Sequence, residues 1–506
     1  MGKTVSVILV LCCTWAAATA QVAGEKEFNV LKYGAKPDGV TFNTQAIQSA
    51  VDAATKAGGG RVVIPEGRFL TGRFELKSNV HLHLEKGAVV LGSTNPYDYY
   101  PDPAATQAVP LISCNNATRV SITGEGTVDG QGRLLALRVD SLYYAGIIDE
   151  KNYDTPSRRP RESTRPVLIS FNGCRDVLLQ DFNIRNGAMH VVYIAHCEDV
   201  IVERTRLVSN AYANNDGYDI FGSRNVRMTN CFIDCADDGI CLKWPISYDI
   251  TVENCTIRSN ASAVKFGSGA AAKGVTFRNI EVYDTYRSAI ALESVDGGIM
   301  EDILFDGVTV RNSWNVFFLR LGHRNTDGKV GTLKNVVIRN VRAQVAWERP
   351  DMAYEMRHPG YSYPYHHNLC PASITGIPGY YVENVLLENI DITYPGRGDE
   401  GTAYIPLYRL KDVPEYEHFY PEYNMFGELP AWGLYVRHAK GVTLKNVSIR
   451  AEKKDYRPAY VFDDVTQVAM EGIRIEEADD DSPQIILKDA AETHLNVDRK
   501  WIKTVD

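Results

Sequence analysis

The chain has 506 residues, of which 44% are hydrophobic. One ordinary core does not grow to that size, so the choice lies between several domains and a repeat solenoid, where each unit buries its core only against its neighbours. The formal net charge of −9 argues against nucleic acid as a partner and means that a polyanionic glycan would need local basic groups to be held.

Met1 to Ala20 carries Lys3, an apolar run from Val5 to Trp15, and Ala18-Thr19-Ala20. This reads as a secretory signal peptide at residues 1–20, with residues 21–506 exported to the periplasm or the extracellular space. Losing Lys3 takes the charge from −9 to −10. The apolar run is too short to span a bilayer and no other candidate span follows, so no membrane insertion is expected. Eight cysteines remain, at 114, 174, 197, 231, 235, 241, 255 and 370. Export permits disulfides. The spacings Cys174–Cys197 and Cys231–Cys255 also match a repeat, so stacked core thiols stand as the alternative.

An N-terminal cap is expected over about 27–75. Within it, Thr41 to Ala57 reads as one amphipathic helix with Ala46, Ile47, Ala50, Val51 and Ala54 on one face, stopped by Gly58-Gly59-Gly60. From Val177 onwards a pattern of apolar residues at period two recurs, starting at Val177, Val200, Val226, Ile250, Val275, Ile303, Val336, Val385, Val442 and Val468. Period two means short strands, and a unit of about two dozen residues means a coil. Asn recurs four residues after the start at 230, 254, 279, 340, 389 and 446. There it suits a left-handed corner, and its amide can bond to the same residue one coil on. A second strand follows in each unit, from Val191–Ile194 to Ala459–Phe462. The expected fold is all-β: a single-stranded right-handed parallel β-helix. Two long steps hold inserted loops at about 344–383 and 395–432, rich in Tyr, Pro and His, and their aromatic content suggests the ordered walls of a cleft.

Two acidic turns lie one coil apart, Asn214-Asn215-Asp216-Gly217 and Ala236-Asp237-Asp238-Gly239. Aligning the second strands on Ile194, Ile220, Leu242, Phe266, Leu292 and Leu319 puts His190, Asp216, Asp238, Ser262, Ser288 and Asn315 in one polar column. Coils stack about 4.8 Å apart, so Asp216 lies against Asp238, with Asp237 beside them. Stacked carboxyls raise each other's pKa, which lets one hold a proton near neutrality. An acid on one side of a glycosidic bond and a base for water on the other are what inverting hydrolysis needs. A second column places Lys243, Glu293 and Arg320 on one face, with Glu293 and Arg320 close enough to pair. Lys243, Arg320, His323 and Arg324 are candidates to meet a substrate carboxylate. No zinc spacing and no phosphate loop is present, and no metal or cofactor is expected.

These residues resemble glycoside hydrolase family 28, the polygalacturonase and rhamnogalacturonase family, from about residue 27 to 476. Val120 to Gly132 is similar to the family's stretch before its first coils. Asn214-Asn215-Asp216-Gly217 resembles its N-T-D-G motif, Asp237-Asp238 its D-D pair, and Lys243 stands where the family often has Lys. The resemblance implies inversion, with Asp237 as general acid and Asp216 and Asp238 activating water. Two departures stand out. Ser259-Asn260-Ala261-Ser262 lacks the family's G-H-G histidine, and Ala291-Leu292-Glu293 offers a carboxylate where R-I-K is expected. His190, Glu293, Arg320, His323 and Arg324 complete the candidate binding set. The expected activity is hydrolysis of an α-linked pectic glycan, of galacturonan or rhamnogalacturonan type, with exo action preferred. A β-helix polysaccharide lyase and a non-catalytic glycan-binding solenoid are the rivals.

Overall fold

The computed structural model describes residues 26–101, 107–267, 269–325, 329–348, 350, 367–396, 406–476 and 482–506. Residues 1–20, expected from the sequence to be a signal segment, and most of the Tyr361–His367 run lie outside them.

The chain winds as a right-handed parallel β-helix. Three stacks of parallel strands run its length, and apolar residues at alternate positions fill the interior. All ten repeat starts are in register: Val177 pairs with Val200, Val200 with Val226, Val226 with Ile250, and so on to Val442 with Val468. The coils begin earlier than the repeat suggests. Gly60–Ile64 pairs with Val80–Leu84, which pairs with Thr118–Gly124, which pairs with Arg175–Gln180. Much of the expected cap is therefore already coil. The helix itself, α1 (Thr44–Lys56), packs Ile47, Ala50, Val51 and Ala54 fully into the core. A second helix, α2 (Gly132–Tyr144), is not anticipated by the repeat; it buries Leu135, Val139 and Leu142.

The asparagine corners behave as their chemistry requires. Asn230, Asn254, Asn279, Asn340, Asn389 and Asn446 all have φ between 51 and 57°, a conformation that Asn tolerates better than most residues. Their amides form a ladder: Asn279 donates to Asn254 at 3.1 Å, Asn389 to Asn340 at 3.0 Å and Asn446 to Asn389 at 3.1 Å. The one polar residue in the apolar column beside them, Thr205, shares a hydrogen bond with the buried Tyr218 hydroxyl at 2.7 Å. All eight cysteines are buried free thiols, so the repeat spacing marks core stacking.

The face that matters is built by β1 (Val192–Ala195), β2 (Tyr218–Phe221), β3 (Ile240–Lys243), β4 (Val264–Phe266), β5 (Ser288–Ser294) and β6 (Asn315–Leu321). Over its later coils lies the described part of the second insertion, residues 406–432. Tyr423, Met425, Phe426, Leu429 and Ala431 pack with Tyr286, Trp314 and Phe318 in an apolar cluster of their own. This is the ordered wall that the aromatic content implies. Of the histidine pair in the first insertion, His367 stacks on Trp347 with ring centroids 4.9 Å apart; His366 lies outside the described residues.

Candidate active site

Register puts Asp216 against Asp238. Tyr218 pairs with Ile240 and Ile220 with Leu242, so the residues just before the strands align, and the Gly217 N–H donates to the Asp238 carbonyl at 2.8 Å. His190, Ser262, Ser288 and Asn315 continue the column as aligned from sequence. The Asp-Gly pairing in both turns has a steric cause. A Cβ on Gly217 would lie 2.4 Å from the Gly239 carbonyl oxygen, and one on Gly239 would lie 2.5 Å from that of Ala263. Only glycine lets the next coil come this close.

The turn before Asp216 is held from inside. Buried Arg165 donates to the carbonyls of Ala188 (2.9 Å) and Ala213 (2.7 Å) and to the Asn214 side chain (2.9 Å). Asn215 is wholly buried. Its Oδ1 accepts from Ser209 and from the N–H groups of Ala211 and Tyr212, and its Nδ2 donates to the carbonyls of Gly187 and Met189. Asp237 is anchored through its backbone: its carbonyl accepts from the Ser259 hydroxyl at 2.6 Å, and its Oδ1 accepts the Asp238 N–H at 3.1 Å. Asp238 Oδ1 accepts the Ser262 N–H at 3.0 Å.

All three aspartates are more enclosed than a solvent-facing cleft implies, with 4%, 2% and 6% of Asp216, Asp237 and Asp238 exposed. The reason is the shell of charge around them. Lys243 Nζ lies 2.9 Å from Asp216 Oδ2 and 2.7 Å from Asp219 Oδ1. His190 stands across them, Nε2 3.5 Å from Asp216, Nδ1 3.1 Å from Asp219 and 2.6 Å from the Tyr193 hydroxyl. On the other side Lys265 Nζ lies 3.1 Å from Glu293 Oε2, 3.8 Å from Asp238 Oδ2 and 3.4 Å from the Tyr420 hydroxyl. Arg287 pairs with Glu422 at 2.7 Å. The more open side of the cluster is at Lys243, followed in the chain by Trp244, 64% exposed.

Burial raises the Asp238 pKa; Lys265 opposes this, and the neighbouring Asp216 charge adds to it. Burial likewise pushes Glu293 up to about 8 against the pull of Lys265. Burial works against the charged form of Lys243, yet Asp216 and Asp219 together hold its pKa well above the lysine range. His190, Asp216 and Asp219 bring possible metal-ligand atoms within 4.8 Å of one another, as do Asp216, Asp238 and Cys241. The Lys243 ammonium already supplies a cation between Asp216 and Asp219.

The structure thus gathers six of the sequence candidates: His190, Asp216, Asp237, Asp238, Lys243 and Glu293. It corrects the expected Glu293–Arg320 pair. Although the two are in register, Glu293 pairs with Lys265. Arg320, 1% exposed, donates instead to the carbonyls of Gly376 (2.8 Å), Glu415 (2.6 Å) and Tyr416 (3.3 Å). These bonds pin the insertions to the coil stack. His323 is tied to the same loop, its N–H donating to the Glu417 carbonyl at 2.8 Å. Arg324 bonds Asp296 at 3.0 and 2.5 Å and stands 5.1 Å from the Tyr420 ring centroid, at the rim. Asp219, Lys265, Arg287, Tyr420 and Glu422 were not foreseen. The first two had a signal: the column one residue before the aligned strand positions reads Asp219, Cys241, Lys265, Ala291 and Phe318.

The family model described as Glycosyl hydrolases family 28 matches residues 55–286, a stretch that holds the three aspartates, Lys243 and Lys265. This stretch belongs to family 28. A "Probable polygalacturonase" of Vitis vinifera is 26% identical over 329 residues, covering 62% of this chain and 60% of its own length. An "Exo-poly-alpha-D-galacturonosidase" of Dickeya chrysanthemi is 32% identical over 260 residues, covering 44% of this chain and 42% of its own. The chain therefore spans between two fifths and three fifths of these family 28 relatives. The solved family 28 exopolygalacturonase of Yersinia enterocolitica superposes with a TM-score of 0.56 at 20% identity, covering 93% of this chain and 78% of that one, a likeness of fold.

Proposed function

We propose that this protein is an exported, inverting glycoside hydrolase that cleaves α-linked pectic glycan, of galacturonan or rhamnogalacturonan type, from the chain end. The observation that carries the reading is the register of Asp216 and Asp238 in adjacent coils, with carboxyl oxygens inside one 4.8 Å cluster and Asp237 next in the chain. Like charges are stacked there at an electrostatic cost that a structural corner has no reason to bear. Asp237 gives its proton to the glycosidic oxygen as the C1–O bond breaks. Asp216 and Asp238 orient a water and take its proton as its oxygen bonds to C1 from the opposite face. Lys243 beside Asp216 favours its charged form, and Lys265 favours that of Asp238 against burial.

Chain-end attack is supported by the ordered wall at 406–432 and by the similarity to the Dickeya exo-poly-alpha-D-galacturonosidase. Export rests on the composition of residues 1–20; among the described residues no helix is long and apolar enough to cross a membrane. Incubation with a panel of pectic oligosaccharides, followed by NMR of the first product formed, tests the reading. The expected product is a saturated sugar with inverted anomeric configuration, released from one end. An unsaturated product with chelator sensitivity would mean a lyase; binding without turnover, unchanged in Asp237→Asn, would mean a glycan-binding solenoid.

A further inference from the structure

Around the three aspartates, four cations already have carboxylates. Lys243 lies between Asp216 and Asp219, Arg287 is bound to Glu422, Arg324 to Asp296, and Lys265 lies between Asp238 and Glu293. The last group is the most telling, because one ammonium serves two carboxyls. With Asp238 ionised to work as a base, the group carries no net charge only when Glu293 holds a proton. The side chains of Lys265 and Glu293 are each only 2% exposed, so water does little to screen them.

We propose that the sugar ring lodged beside Lys265 and Glu293, on one side of the scissile bond, is a neutral sugar and not a uronate. The proposal rests on the hydrolase reading and narrows its substrate to pectic glycans with an uncharged residue next to the cleaved bond. A uronate there would place another carboxylate against a fully shared ammonium, and like charges facing each other in a closed site cost several kcal/mol. A sugar hydroxyl fits, since it can donate to a carboxylate and accept from Lys265 or from the Tyr420 hydroxyl 3.4 Å away. Lys265, one coil before Glu293, is thus shared between Glu293 and Asp238. The raised pKa values of Asp238 and Glu293, both driven first by burial, agree with two carboxyls sharing one ammonium.

The test uses matched oligosaccharides that differ only in one ring flanking the cleaved bond: galacturonate, or the same ring carboxyl-reduced to galactose. Each flanking position is varied in turn. The wild type should show kcat/KM at least about tenfold higher for the neutral ring at one position, a difference of about 1.4 kcal/mol. Glu293→Lys should shrink or reverse that preference. Calorimetric binding of the same pairs to Asp237→Asn should rank them in the same order without turnover. Preference for galacturonate at both positions, in rate or in binding, overturns the proposal, as does an unchanged preference in folded Glu293→Lys. If no member is cleaved, the hydrolase reading fails on its own, and the binding order still decides whether this site prefers a neutral ring.

Discussion

Two of the chain's Asp-Asp pairs, Asp237-Asp238 and Asp463-Asp464, sit in instructively different settings. Asp463-Asp464 lies in the column that also holds Lys243, Glu293 and Arg320 in earlier coils. There opposite charges alternate from coil to coil: Arg437, Asp463 and Lys488 are in register, and Asp463 lies 3.4 Å from Arg437 and 3.0 Å from Lys488. Asp464 binds His438 Nδ1 at 2.6 Å, and His438 also meets Glu415. Asp463 thus lies between two basic residues of its own column, as in a structural charge ladder. At Asp237-Asp238 the order is reversed. Acid stacks on acid within one column, and the cations beside them, Lys243 and Lys265, stand in other columns. A fold seeking only stability pairs opposites; a site that must move protons keeps like charges close.

The sharpest way to break this comparison is to neutralise one acid in each setting. Asp237→Asn should cost about 100- to 10,000-fold in kcat, the range for a lost general acid, with circular dichroism and Tm near wild type. Asp463→Asn should do the opposite. Turnover should stay, while stability falls by roughly 2 kcal/mol, below the range for a sealed pair because Lys488 keeps 18% of its side chain exposed. If Asp463→Asn kills turnover as deeply, the distinction between the settings is wrong.

Lys265→Met comes next. Lys265 holds Asp238 down against burial and Asp216, so removing it raises the Asp238 pKa further. The acid limb of the kcat/KM profile should move to higher pH, with a loss of about 100-fold at pH 5 that shrinks as pH rises. A profile that drops evenly at all pH values would assign Lys265 a packing role. Arg320→Met is milder. It removes the donor to the carbonyls at 376, 415 and 416 and so loosens the wall that carries Tyr420 and Glu422. About tenfold in kcat/KM is expected from misplacement alone, together with faster proteolytic cleavage within 406–426.

How much of this could be read from the chain follows the same division. The register of Val177 to Val468 was legible because each start buries an apolar side chain against the next. Asp216 over Asp238 followed by counting along those strands. Lys265 and Asp219 were missed although they obey the same count, because only the columns four before and one after the marker were aligned. The Glu293–Arg320 pairing failed for a different reason. Register brought them side by side, but Arg320 found three loop carbonyls, and Lys265, one coil before Glu293, reaches it at 3.1 Å. Tyr420 stands 155 residues from Lys265 in the chain, in an insertion with no period, so no spacing rule could place it. Helix α2 had a signal in Leu135, Val139 and Leu142, spaced four and three apart, in a stretch that precedes the repeat.

The smallest effect expected is also the one that probes Glu293. Its pKa in the fold is raised to about 8 by burial, from an ordinary value of 4.5. Between those two values the folded chain holds a proton that the unfolded chain has released, so the unfolded state binds fewer protons and stability falls as pH rises. The stabilisation is complete below about pH 4.5 and is gone once the pH passes about 8. Glu293→Gln carries the protonated shape at every pH and should give a flatter curve. Its Tm should drop less than that of the wild type from pH 5 to 8, with a gap on the order of a few degrees. Asp238, also raised, remains in the variant and shares Lys265 with Glu293, so the difference between the curves reads Glu293 together with any shift it imposes on Asp238. Parallel curves would show that Glu293 is ionised throughout as a plain partner of Lys265, and the shared site would then be a pair like those around Asp463.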